Sequence, residues 1–191
     1  MNKTLGDIAS IMSGCFLSEG ADGNLLYLKV RDFTGNYIHQ GDLRPSVFSS
    51  EKTERFVLKD EDLLFAAKGN ANFCYCYKES LGRAVASNAF FVIRVQDRMV
   101  LPEYVCCYIN QPSILNKVRM QARGTGIQLI GKDALASLPI PIPPMEVQQR
   151  ICEYDRLCRK ETELLEQIVR RRKDISGLQL VNMINLYKYG K

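Results

Sequence analysis

The chain has 191 residues, 46% of them hydrophobic, enough for one domain with a sizeable core and an appendage. Its 26 basic and 21 acidic residues leave a formal charge of +5, a mild excess that permits nucleic-acid binding without demanding it. No apolar run approaches bilayer length, and the first residues lack the apolar core of a secretion signal, so a soluble cytoplasmic protein with no membrane contact is expected. The seven cysteines are odd in number and crowded at Cys74/Cys76 and Cys106/Cys107. There is no C-x-x-C spacing, and His39 is the only histidine. Buried reduced thiols fit this better than disulfides or a zinc site, and no metal or other cofactor is expected.

Residues 3–12 read as a short helix or turn. Leu25–Val30, Thr53–Leu58, Asp62–Ala67, Phe73–Tyr77, Ala84–Ala86 and Ala89–Val95 have strand composition, and Thr53–Leu58 alternates as a half-exposed strand would. Helices come next. Pro102 suits a first helical position before Glu103–Asn110, and a second helix runs from Pro112 to about Ala122. Gly124–Gly126 reads as a loop, Gln128–Ile130 as extended and Lys132–Ser137 as a helical turn. The seam Leu138-Pro-Ile-Pro-Ile-Pro-Pro144 must be extended and stiff, because proline fixes its own φ and disfavours helix in the preceding residue; its two isoleucines should share a face.

From Met145 to about Ile184 there is no proline and one glycine, Gly177, predicting a helix of about 60 Å. Ile151, Tyr154, Cys158, Glu161, Leu165, Ile168, Arg172, Ile175, Gln179 and Asn182 recur at 3-4 spacing. A second stripe, Leu157, Leu164, Ile168, Ile175 and Leu178, lies beside it. This broad face needs another long helix, supplied by another copy or another protein. The pattern divides the chain into residues 1–143 and a helix over 144–191. The run Arg170–Lys173 reads as a solvated helix face or as a docking site for a partner subunit or the DNA backbone.

Motifs of chemistry are missing: the chain has neither a G-x-x-x-x-G-K-[ST] phosphate loop nor a G-x-G-x-x-G turn, and His39 has no second histidine to work beside it. The acidic loop Leu58–Asp62 is the only hint of a metal-dependent nuclease, and turn solvation explains it. The polar loops carry another signal. Lys68-Gly-Asn-Ala-Asn72 sets a cation and two amides, Asn70 and Asn72, on a glycine-containing loop after an apolar strand; amides read adenine bidentately, while Arg and Lys read guanine. Arg31, Lys78, Arg83, Arg119, Arg123, Thr125 and Gln128 could add base or phosphate contacts.

Several segments in order carry a resemblance: Leu5–Gly14, Asp62–Gly69, Ala86–Ile93, Leu101–Tyr104, Gly124–Gly126, and Leu135–Pro144 leading into Gln148-Gln-Arg-Ile151. This set resembles the specificity subunit of type I restriction–modification systems, most specifically in the proline seam followed by Gln149 and Ile151. The resemblance implies an α+β fold: a strand-rich target-recognition domain with flanking helices, then a long helix that pairs as an antiparallel coiled coil. The family's usual subunit has two such domains and two helices, so this chain looks like a half-length form. By that logic two copies pair as a homodimer through Ile151, Tyr154, Leu157, Cys158, Leu164, Leu165, Ile168, Arg172, Ile175 and Leu178. The implied partners are double-stranded DNA, methyltransferase subunits and the restriction/translocase subunit, with no catalysis by the chain itself. Residues 138–144 then belong to a ruler separating two half-site readers. The competing readings are a helix-mediated interaction protein, a silent recognition cassette that never reads DNA alone, and a small nuclease.

Overall fold

The computed structural model describes residues 2–33, 43–68, 72–121 and 129–189, and its contacts divide the chain into Met1–Cys152 and Glu153–Lys191. The first strands and helices are β1 (Asn2–Thr4), α1 (Leu5–Ile8), β2 (Ala9–Ser13), β3 (Leu26–Leu28), α2 (Glu51–Glu54), β4 (Leu63–Ala66) and β5 (Cys74–Cys76). Then come β6 (Ala84–Ala86), β7 (Phe90–Val95), α3 (Pro102–Ile109), α4 (Pro112–Met120), α5 (Lys132–Ala136), β8 (Pro139–Pro141) and α6 (Met145–Tyr189). The α+β class and the long C-terminal helix match the expectation.

The centre of the first unit is an antiparallel sheet ordered β2-β7-β4-β5. Side chains alternate across it. Leu63, Phe65, Phe91 and Ile93 face a core shared with α1, α3, α4 and α5, whereas Leu64, Ala66, Phe90 and Val92 face the parallel ribbon β3–β6. Both faces are covered, which is why Leu63–Ala66 is apolar throughout although its neighbours are antiparallel. The edge strand β5 is closed by a side chain: Asn110, at the end of α3, accepts from the Cys74 N–H at 2.8 Å and donates to its carbonyl at 2.8 Å, as a neighbouring strand would. The seven cysteines are free, five of them buried. Burial, with Cys106 beside it, pushes the Cys76 thiol up to about 12.

Two segments differ from the sequence expectation. Residues 3–12 hold two strands around one helical turn. Thr4 donates its N–H and hydroxyl to Asp7 at 2.8 and 2.7 Å, starting α1, but from Ala9 onward the backbone pairs with β7 over five residues. Long-range pairing ends the helix there, and no local signal announces it. The alternating Thr53–Leu58 begins instead in α2. Ser50 and Thr53 cap reciprocally, Ser50 N to Thr53 Oγ1 at 2.7 Å and Thr53 N to Ser50 Oγ at 3.3 Å, leaving Val57 a single bridge to Val85.

The proline seam is a strand. β8 pairs antiparallel with β1, Lys3 opposite Ile140, so the start of the chain closes on residues far along it. Pro139 and Pro141 face out, Ile140 is fully buried, and Ile142 packs on the same core. Proline supplies no N–H, and the free seam carbonyls are taken by tyrosines of α3: Tyr104 donates to Pro141 at 2.8 Å and Tyr108 to Pro139 at 3.1 Å. The start of α6 is held as firmly. Gln148, fully buried, accepts from the Leu101 N–H at 2.9 Å and donates to the carbonyls of Met99 at 2.8 Å and Pro143 at 2.9 Å. Cys152, one turn on, is buried too, whereas Gln149 and Ile151, singled out from the sequence, are exposed. The compact unit therefore runs to Cys152, past the expected division at residue 143.

Replacing Gln148 with Ala leaves one N–H and two carbonyls without this partner in a dry environment; urea denaturation should show a loss of about 2–4 kcal/mol. Acid acts on the same closure. Asp7, bonded by Thr4, and Asp97, bonded by Lys3 at 2.7 Å, are both held below the ordinary carboxylate value of 3.8. Their contribution is therefore full above that value and is lost as pH falls through the lowered folded-state values. The urea midpoint should drop as pH falls below about 4, and Asp97→Asn should flatten part of that drop.

Candidate nucleic-acid interface

β4 and β5 run antiparallel, so the segment leaving β4 and the segment entering β5 lie together at the Ala66 end. Lys68 is exposed there, and its backbone bridges to Leu129 while Ile130 N donates to Ala67 O at 3.1 Å. Asn72 enters the same end. Its Nδ2 donates to Ala66 O at 2.9 Å, and its Oδ1 accepts from Arg119 Nε at 3.0 Å. Arg119 also reaches Asn116 Oδ1 at 3.4 Å and is half-buried at the end of α4. The β3–β6 ribbon is parallel, so Arg31, past the end of β3, lies toward the Ala86 end, next to Phe90, which pairs with Ala66. Phe33 ties the two together, its ring 5.3 Å from Phe73 and 5.6 Å from Phe90. Arg31 is largely exposed, 3.7 Å from Glu19, whose carboxyl is held down first by its hydrogen bond from Lys29.

Arg31, Lys68, Asn72 and Arg119 thus gather at one end of the sheet. Lys78 and Arg83 do not. Lys78 lies just past β5 at the Leu63 end, about 13 Å along a four-residue strand, and Arg83 precedes β6 at the opposite end of the ribbon from Arg31. Each already has an anion: Lys78 meets Glu61 at 3.0 Å, and Arg83 grips Glu54 through two bonds of 2.8 and 2.7 Å. Asn72 also changes character. Only 3% exposed, with both amide groups engaged internally, it orients the Arg119 fork instead of offering its own edge to a base. Asn70, Arg123, Thr125 and Gln128 lie outside the described residues, as does His39.

The acidic loop is engaged throughout. Asp60 accepts from Glu79 N at 2.8 Å, and Glu61 pairs with Lys78. Asp62, buried, accepts from Lys59 N at 2.8 Å and from Arg94 through two bonds of 2.7 and 2.6 Å. Among the described residues no group of His, Cys, Asp and Glu side chains is arranged to hold a metal ion.

One residue at the Ala66–Phe90 end was not visible in the sequence. Phe16 is 79% exposed, just past the point where Gly14 N bonds to Phe90 O and Cys15 N to Ala86 O. A β-carbon on Gly14 would lie 2.2 Å from the Ser87 carbonyl oxygen, so only glycine lets the chain pass this close to β6. An exposed aromatic can stack on a base. A lone phenylalanine after Gly-Cys carries no such signal in the sequence.

In the second unit Tyr154, Leu157, Leu164, Leu165, Ile168, Ile175 and Leu178 are exposed, as are Arg172 and, near the end of the first unit, Ile151; Cys158 is intermediate. No described helix is long and apolar enough to cross a membrane.

Comparison with known proteins places this architecture. The family model for the type I restriction modification DNA specificity domain matches residues 1–169. A chain from a structure of type I R-M complex assembly and conformational transition superposes with a TM-score of 0.66 at 16% identity, over 93% of this chain and 43% of that one. The type I restriction-modification S subunit from M. genitalium gives 0.62 at 13% identity, over 91% and 42%. The HsdS subunit from Thermoanaerobacter tengcongensis gives 0.58 at 16%, over 88% and 39%. At such identities the likeness concerns the fold, and the chain spans less than half the length of these solved chains. No curated protein matches the sequence. With the family model covering the strand-rich unit and the first half of α6, this chain belongs to the type I restriction modification DNA specificity domain family.

Proposed function

We propose that the chain confers DNA sequence specificity in a type I restriction–modification system, reading one half of a two-part target and leaving chemistry to methyltransferase and restriction/translocase subunits that it helps to assemble. The family match over residues 1–169 carries this reading. The geometry supports it with a polar face of the right composition: Lys68 and Arg31 exposed and Arg119 held by Asn72, with Phe16 a further exposed aromatic. Asn70, Arg123, Thr125 and Gln128 remain proposed base or phosphate contacts by sequence alone. Direct readout needs donors with fixed direction, and an arginine held through Nε by Asn72 and through one terminal nitrogen by Asn116 keeps the other terminal nitrogen for a guanine edge or a phosphate. Lys78 and Arg83 are secondary candidates, because DNA would first have to displace Glu61 and Glu54.

Methylation mapping in cells with and without this chain, its partner subunits present, should show one two-part motif that vanishes with it; unchanged methylation sinks the proposal. In the assembled complex, Lys68→Ala and Arg119→Ala should each weaken DNA binding about three- to tenfold and lower the salt slope by about one ion. Lys78→Ala and Arg83→Ala should change affinity less than about twofold. Asn72→Ala should cost about 1–3 kcal/mol of stability by freeing the Ala66 carbonyl, and should weaken DNA binding through Arg119, as read by denaturation and binding of the same sample.

A further inference from the structure

Arg31, on the face proposed to meet DNA, has an acid at its side. Glu19 belongs to a segment that is fixed at both ends: Leu17 N donates to the Tyr27 hydroxyl at 3.2 Å, and Gly20 N donates to Ser46 O at 2.8 Å. Tyr27 is buried and donates in turn to Cys15 O at 3.0 Å. The carboxylate is fixed as well. Lys29 donates to its Oε1, and Ser46 Oγ donates to its Oε2 at 3.4 Å. The hydrogen bond from Lys29 holds the Glu19 carboxyl below its ordinary value, so it is ionised at neutral pH. A negative charge repels phosphate, and an acid held in place on such a face needs a use. An ionised carboxylate only accepts, and the Glu19 side chain is 39% exposed, with Oε2 carrying a single long bond from Ser46 among the described residues.

We propose that Glu19 and Arg31 together read one G·C base pair in the major groove, Glu19 accepting from the cytosine amino group and Arg31 donating to guanine O6 and N7. The proposal rests on the DNA-reading function set out above and names part of its target. In the major groove a G·C pair shows two acceptors on guanine and then the amino donor of cytosine. O6 and that amino nitrogen are hydrogen-bonded to each other, about 2.9 Å apart. A matching protein pair sets a donor beside an acceptor at a similar spacing, and Arg31 Nη2 lies 3.7 Å from Glu19 Oε1. That distance is too long for a hydrogen bond, so the guanidinium keeps its donors, and its side chain is 73% exposed. Asp32 steadies its base by accepting from Lys29 N at 2.7 Å, which starts the turn carrying Arg31. An A·T pair in the same place fails twice: the adenine amino group meets the arginine donor to donor, and thymine O4 meets the carboxylate acceptor to acceptor.

The test uses the chain assembled with its methyltransferase subunits, and duplexes carrying the motif found by methylation mapping together with single base-pair changes of it. Glu19→Ala should weaken binding of the motif about fivefold or more, although it removes a negative charge, and should erase discrimination at one G·C position. At the other positions, preferences should stay within about twofold. N4-methylcytosine at the affected position puts a methyl group where the amino hydrogen faces the groove. It should weaken binding by the unaltered complex to a similar extent and add less than about twofold to the loss in Glu19→Ala. Tighter binding of every duplex by Glu19→Ala would mean that the acid only screens charge, and an equal loss for all of them that it only supports its segment. Either result overturns the proposal, as does a preference lost at an A·T pair or a methyl effect that adds in full to Glu19→Ala. Failure of the DNA-reading function itself looks different: the unaltered complex then binds every duplex alike, and both proposals fall.

Discussion

The first unit depends on closing its two sequence ends against each other. β1 and β8 form a two-stranded ribbon from residues more than a hundred positions apart, and Gln148 fastens the start of α6 to the Met99–Leu101 segment just beyond. A loop of that length costs conformational entropy to close, and a pair of three-residue strands is marginal by itself. The seam offsets that cost in two ways. Its prolines are already extended in the unfolded chain, so less freedom is lost on pairing, and Ile140 is fully buried while tyrosines on α3 bond the carbonyls beside it. A stretch that reads as a linker in composition is therefore part of the core.

The same economy of partners separates two kinds of cation in the sheet. At the Leu63 end the charges are closed circuits: Arg94 with Asp62, Lys78 with Glu61, Arg83 with Glu54. At the Ala66 end the partners are weaker or neutral. Arg119 is held by an amide, and Arg31 stands 3.7 Å from a carboxylate that Lys29 already engages. An amide fixes direction without cancelling charge, the arrangement that a reader of polyanions needs. A net charge of +5 conceals this, because ion pairing and not composition decides which cations are available.

Where the sequence was legible, short-range physics was in control. Proline at the first turn of α3 and α4, the extended seam, the strand composition of β7 and the unbroken α6 all arise from φ restriction and local side-chain pattern. The misses are of two kinds, one long-range and one a local cap. β2 forms because β7 offers it five residues of ladder, and Thr53–Leu58 fails as a strand because Ser50 and Thr53 cap a turn first. In the candidate site, residue type singled out the amides and cations, but type does not say which amide is exposed. Asn72 became a strut for Arg119 because its side chain falls inward beside the Ala66 carbonyl. Gln148 passed as one of two adjacent glutamines, and only burial tells it from Gln149.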